Sequence, residues 1–151
     1  MPSPEEQRKY QEDLAKYNNQ MQANKDADNK ISALESANKE LNEEIKELEK
    51  AKKNCQNAKD KATSNLSKLK KVSDASSFKG QIQGKYEQSQ KNDLENELKK
   101  FSNSIEGGSN SVVKEINDEI KKKRKEISDN NDQINQTKNS KTTPVKPTEP
   151  K

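Results

Sequence analysis

Apolar side chains recur along this chain at intervals of three and four. The first series reads Tyr10, Leu14, Tyr17, Met21, then Ala27, Ile31, Leu34, Ala37, Leu41, Ile45 and Leu48. It continues as Ala51, Cys55, Ala58, Ala62, Leu66, Leu69 and Val72, with no Gly or Pro between residues 10 and 72. This is the helical period, not the alternation of a strand. Within it runs a strict seven-residue ladder: Ala27, Leu34, Leu41, Leu48, Cys55, Ala62 and Leu69. The companion seam is Asn24, Ile31, Asn38 and Ile45, then Ala51, Ala58 and Val72. Its two Asn weaken the seam, and a polar residue at such a position can fix register. Ser3 followed by Pro4, Glu5 and Glu6 suits a helix start.

A second series follows: Tyr86, Leu94, Leu98, Phe101, Ile105, Val112, Val113, Ile116, Ile120, Ile127 and Ile134. Val113, Ile120, Ile127 and Ile134 form another ladder of seven. "EGGSNS", residues 106–111, interrupts the propensity, since two adjacent Gly cost about 2 kcal/mol relative to Ala in a helix. Phe101, Ile105, Val112 and Ile116 keep one phase across it, which predicts a kink at Gly107-Gly108. A break into two helices is the alternative.

The expected fold class is therefore all-α, a long antiparallel two-helix hairpin resembling a coiled coil. Its arms would span about 5–72 and 82–137, with a turn at about 73–81, making residues 1–137 one domain. Residues 138–151, rich in Lys and carrying Pro144, Pro147 and Pro150, would form a disordered tail. With equal rise on both arms, facing residues would have numbers summing to roughly 152–156. That sets Cys55 near Phe101, Leu41 and Ile45 near Val112, Val113 and Ile116, Leu34 near Ile120, and Ala27 near Ile127. The stripe is too wide for one partner arm, since Leu14, Met21, Ala37, Leu66 and Leu69 cannot all face it.

Composition rules out a compact globule. Of 151 residues, 25% are apolar and 37% charged, so long helices with narrow stripes are the ordered alternative to disorder. The net charge of +4 comes from 30 basic and 26 acidic side chains. The densest basic run, "KKKRK" at 121–125, is flanked by Glu115, Asp118, Glu119 and Glu126. It reads as a solvated helix face, not a nucleic-acid patch. One Cys and no His allow neither an internal disulfide nor a Cys/His zinc site. Cys55 falls in the seam as a small core residue. Glu43, Glu44, Glu47 and Glu49 read as surface charges, some paired with Lys. No nucleophile–base set or phosphate loop is present, so no enzymatic role and no cofactor are expected. The start lacks an apolar leader and no run is long enough to span a membrane. A cytoplasmic location, or export without a cleaved signal, is the expectation.

The remaining texture is at the expected turn, "SDASSFKGQ". Ser73, Asp74, Ser76 and Ser77 favour turns and caps, and Gly80 permits the backbone a turn needs. Phe78, Ile82 and Tyr86, spaced by four, suit an apolar plug at the start of the second arm. Phe78-Lys79-Gly80 with Tyr86 eight residues after Phe78 also resembles the Trp-x-Gly turn of WXG-type, ESAT-like helical hairpins of Gram-positive bacteria, with Phe in place of Trp. Over residues 25–137 the layout is most similar to the YwqH-like group, small Lys/Glu-rich hairpins associated with LXG toxins of type VII secretion. The resemblance implies a chaperone or adaptor that binds the helical N-terminal region of such a toxin, or another small helical protein. The partner-binding residues it implies at the tip are Phe78, Gly80, Ile82 and Tyr86. Along the seam they are Leu34, Leu41, Leu48, Leu66, Leu69, Phe101, Ile116 and Ile120. The family's Tyr-x-x-x-Asp/Glu export signal is absent, leaving export through a partner and an intracellular adaptor role as the two routes. The alternative class is a homo-oligomeric coiled coil serving as a structural or cell-surface spacer.

Overall fold

A computed structural model describes the backbone of residues 1–75 and 81–151, and the side chains of residues 1–68 and 88–151. Three helices make up its regular structure: α1 over Pro4–Ala75, α2 over Gln81–Ile105 and α3 over Val112–Ser140. No strand occurs among the described residues. The expected turn falls partly on helix, at 73–75 and at Gln81, and partly on residues 76–80, outside the described residues.

α1 starts as its sequence predicts. The Ser3 N–H donates to Glu6 Oε2 at 2.7 Å, and the Glu6 N–H donates to Ser3 Oγ at 3.2 Å. This reciprocal capping box satisfies two groups that the helix itself leaves open. Pro4 takes the first helical position, where its missing N–H costs nothing.

The second arm is not one kinked helix. It is broken into α2 and α3 by residues 106–111, so the break is what forms. Gly107 has φ +104°, a conformation L side chains avoid. The Gly108 N–H donates to Asn103 O at 3.0 Å, the six-to-one bond of a Schellman cap. A Cβ on Gly108 would lie 2.6 Å from that same oxygen. Both glycines thus end α2 actively, beyond any loss of helix propensity. Ser111 then opens α3: its Oγ accepts from the Lys114 N–H at 3.2 Å, and it is only 2% exposed.

The chain divides into two units. The first comprises Met1–Asn42 and Arg124–Lys151. Here Ile31 and Ile134 are buried, with Ala27, Leu34, Leu41 and Ile127 half-buried around them. Asn38 lies in this seam with both its amide nitrogen and its amide oxygen engaged. It donates to Asn131 Oδ1 at 2.9 Å and accepts from Asn130 Nδ2 at 2.9 Å. The second unit is Glu43–Lys123, with Ile45, Ile105, Val113 and Ile120 as the buried apolar residues among those described. Glu44 meets Lys123, and Gln56 Nε2 donates to Glu106 Oε2 at 3.1 Å. In each unit the α1 residue number rises as its partner's falls, so the pairing is antiparallel.

The register differs from the expected one. Glu44 meets Lys123, not residues near Val112, and Asn38 meets Asn130 and Asn131, not residues near Ile116. Cys55 is therefore level with the link at 106–111, not with Phe101. Within the first unit Ala27 does not face Ile127, since its neighbours Asn24 and Asp28 meet Thr142 and Lys141. The non-helical link at 106–111 makes part of this offset, since its six residues do not advance at the helical rate; the rest is already present at the end of α2, where Gln56 pairs with Glu106.

The companion seam of α1 is corrected too. Ala51 and Ala58 are exposed, while Lys52, Lys59 and Leu66 are half-buried. The seam thus holds its seven-residue beat through Ile31, Asn38, Ile45, Lys52, Lys59 and Leu66. Lysine can occupy it because its four-carbon stem packs while its ammonium reaches out. Lys59 Nζ ends 3.5 Å from the Glu106 carbonyl oxygen.

Candidate docking surface

In the second unit, α2 buries a line made by Lys91, Glu95, Leu98, Ser102 and Ile105, which are half-buried or buried at helical spacing. Leu94 and Phe101 sit one heptad apart on the shoulder of that line. They are 42% and 46% exposed. Val112, the first residue of α3, is 44% exposed. These are large apolar side chains left in water by a chain that has few to spend. The cause at Val112 and Val113 is the Ser111 cap, which starts α3 with Val113 inward at 4% exposure and leaves Val112 outward. The one-face phase expected for Phe101, Ile105, Val112 and Ile116 therefore splits: Ile105 and Ile116 turn inward, Phe101 and Val112 outward.

Of the residues named from sequence as partner-binding, Ile120 is buried at 6% exposure. Leu34, Leu41, Leu48, Leu66 and Ile116 are half-buried in their units' seams. Phe101 alone among the described ones presents a large exposed face. Leu69, Ile82 and Tyr86 lie on helices, but their side chains are outside the described residues, as are Phe78 and Gly80 altogether. Leu94 and Val112 join Phe101 and were not singled out in advance. The seven-residue spacing of Leu94 and Phe101 was readable, but their position on the shoulder depends on register.

The polar surface is paired locally. Arg8 with Glu12, Lys46 with Glu43, Lys100 with Glu97 and Lys114 with Asp118 bridge one helical turn each. Such exposed pairs contribute little stability individually. Within "KKKRK", Lys123 meets Glu44 and Glu119, and Lys125 meets Asp129 at 3.5 Å. The hydrogen bond from Lys123 to Glu44, with Glu119 adding to it, holds the ammonium above its ordinary pKa. An open groove in the second unit is lined by Glu43, Glu44, Glu47, Leu48, Glu119 and Lys123. Glu43, Glu44, Glu47 and Glu119 each have a Lys within salt-bridge reach, so the groove does not isolate a carboxylate in apolar surroundings. Cys55 is a free, half-buried thiol in the α1 ladder. No group of three or more His, Cys, Asp or Glu placed to hold a metal occurs among the described residues. No helix among them is long and apolar enough to cross a membrane.

No family model matches this chain, and neither a curated protein nor a solved structure is similar to it.

Proposed function

We propose that this chain is a non-enzymatic helical adaptor that binds the N-terminal helical region of an LXG-type toxin and assists its folding or delivery to a type VII secretion apparatus. In this reading α1 forms one arm of a hairpin and α2 with α3 the other, as in the YwqH-like proteins that Phe78-Lys79-Gly80 and Tyr86 resemble. The observation that carries a binding role is the exposed apolar shoulder of α2 at Leu94 and Phe101, with Val112 also exposed at the start of α3. A helix partner that buries its own stripe on such a shoulder gains from removing apolar area from water. Aromatic side chains dominate binding hot spots, which makes Phe101 the residue to test among those described.

The test is titration of the full chain with the helical N-terminal region of an LXG-type toxin. Phe101→Ala should weaken binding about tenfold or more, equivalent to about 1.4 kcal/mol. Far-ultraviolet circular dichroism of the variant should be unchanged, because the ring is half in water already. Phe78→Ala should act in the same direction if the tip also docks. No complex with the toxin region, together with a stable homodimer by light scattering, would replace this reading with that of a homo-oligomeric spacer.

A further inference from the structure

α3 ends at Ser140, but the chain beyond it does not leave α1. Lys141 Nζ meets the Asp28 carboxylate. One residue later, the side-chain amide of Asn24 grips the backbone of Thr142 from both sides. Asn24 Nδ2 donates to the Thr142 carbonyl oxygen at 2.7 Å, and the Thr142 N–H donates to Asn24 Oδ1 at 3.1 Å. A primary amide that takes both backbone groups of one residue suits extended chain, whose groups are not used by a helix or sheet. Moving from Lys141 to Thr142 moves from Asp28 to Asn24, so the tail heads toward the start of α1.

Beyond that clamp the tail's burial has a period of three. Pro144, Pro147 and Pro150 are half-buried, whereas Thr143, Val145, Lys146, Thr148 and Glu149 are exposed. Val145, the only other apolar residue there, is 82% exposed. Three residues per turn is the period of the polyproline II helix, and proline fixes the φ it needs. On α1, Tyr10, Leu14 and Tyr17 are half-buried, although the α3 helix has ended opposite Asp28. Residues 141–151 are what the first unit still has to cover that stripe. The lengths agree: Thr142 to Pro150 spans about 25 Å as polyproline II, and Asn24 to Tyr10 about 21 Å as α-helix.

We infer that the Tyr10, Leu14 and Tyr17 face of α1, with Asn24 as its clamp, is a docking groove for a polyproline II segment, and that Pro144, Pro147 and Pro150 of this chain occupy it. The tyrosines supply flat apolar walls for pyrrolidine rings, the recognition chemistry that proline-rich segments find in aromatic-lined grooves. In this inference residues 141–151 act as a strap, in place of the disordered tail expected from sequence. The proposal stands whether or not a toxin is the partner of the α2 shoulder.

Nuclear magnetic resonance on the full-length chain tests it. Cross-relaxation should connect the Tyr10 and Tyr17 ring protons with proline Hδ protons of residues 144–150. The Thr142 amide should exchange with solvent about tenfold or more slower than in Asn24→Ala, since that hydrogen bond is its protection. Amides within α3 serve as the control and should be unaffected, because alanine suits a helix. Pro147→Ala should weaken the ring contacts without touching any helix. Absence of Tyr–Pro cross-relaxation in the unaltered chain would overturn the inference, as would Thr142 exchange that is indifferent to Asn24→Ala.

Discussion

At the scale of single residues, the end of α2 is held by geometry that only glycine provides. Gly108→Ala would drive a Cβ to 2.6 Å from the Asn103 carbonyl oxygen, a backbone atom that cannot swing away. We expect a loss of about 1–3 kcal/mol, in the range for strained backbone, read as a lowered midpoint in urea. Gly107→Ala should cost a similar amount through its φ of +104°. The start of α1 has a pH signature of its own. Donation from the Ser3 N–H, with the Ser3 hydroxyl adding, holds the Glu6 carboxyl below its usual pKa of 4.5. A lowered folded pKa favours the folded helix end above about pH 4.5, and the benefit is lost as pH falls through the folded value. Titration of Glu6 by carbon-13 resonance should therefore show a depressed midpoint that Ser3→Ala raises only in part, because alanine keeps the backbone N–H and removes only the hydroxyl.

At the scale of elements, burial follows the ladders more than overall polarity. Ile45 is 7% exposed, and Ile45→Asp should cost on the order of 3 kcal/mol or more by placing an unpaired charge in the seam. Lys122 is exposed, and Lys122→Asp should stay within about 0.5 kcal/mol. Equal thermal shifts would mean that the seam is not a core. The helical elements were legible because Val113, Ile120, Ile127 and Ile134 repeat every seven residues. The cap of α1 was legible from Ser3 through Glu6. The break at 106–111 was readable as a weakness, but propensity alone could not distinguish a kink from a break. Positive φ at Gly107 and the close approach of Gly108 to Asn103 belong to the local cap geometry, which a propensity sum does not contain. Register was not legible, because the loop path decides it and no local pattern encodes that path. Ala51 and Ala58 misled for a related reason: they are apolar, yet Lys52 and Lys59 hold the seam by their stems.

At the scale of the whole chain, the division into two units has a bearing on how sequence reading succeeded and failed. The first unit keeps its polar seam residues satisfied: Asn38 by Asn130 and Asn131, Asn24 by Thr142. From sequence these Asn were weak points in the stripe. In the structure each has donor and acceptor matched across the chain, which a slip of one turn would undo. The exposed shoulder of the second unit was only partly visible in advance, through Phe101, because which apolar residues remain outside depends on which ones the register takes in.

The six buried apolar residues retain 4–9% exposure, and no large side chain is sealed below 2% among the described residues. Heat capacity is where this thin core has its consequence. Unfolding raises heat capacity through newly wetted apolar surface and lowers it through newly wetted polar surface. A chain that is mostly Lys, Glu, Asn and Ser around narrow stripes releases little of the first and much of the second. Differential scanning calorimetry should accordingly give less than the usual ~12–15 cal/mol/K per residue. A small increment flattens the stability curve, so modest stability would change little between the cold and the warm ends of the physiological range.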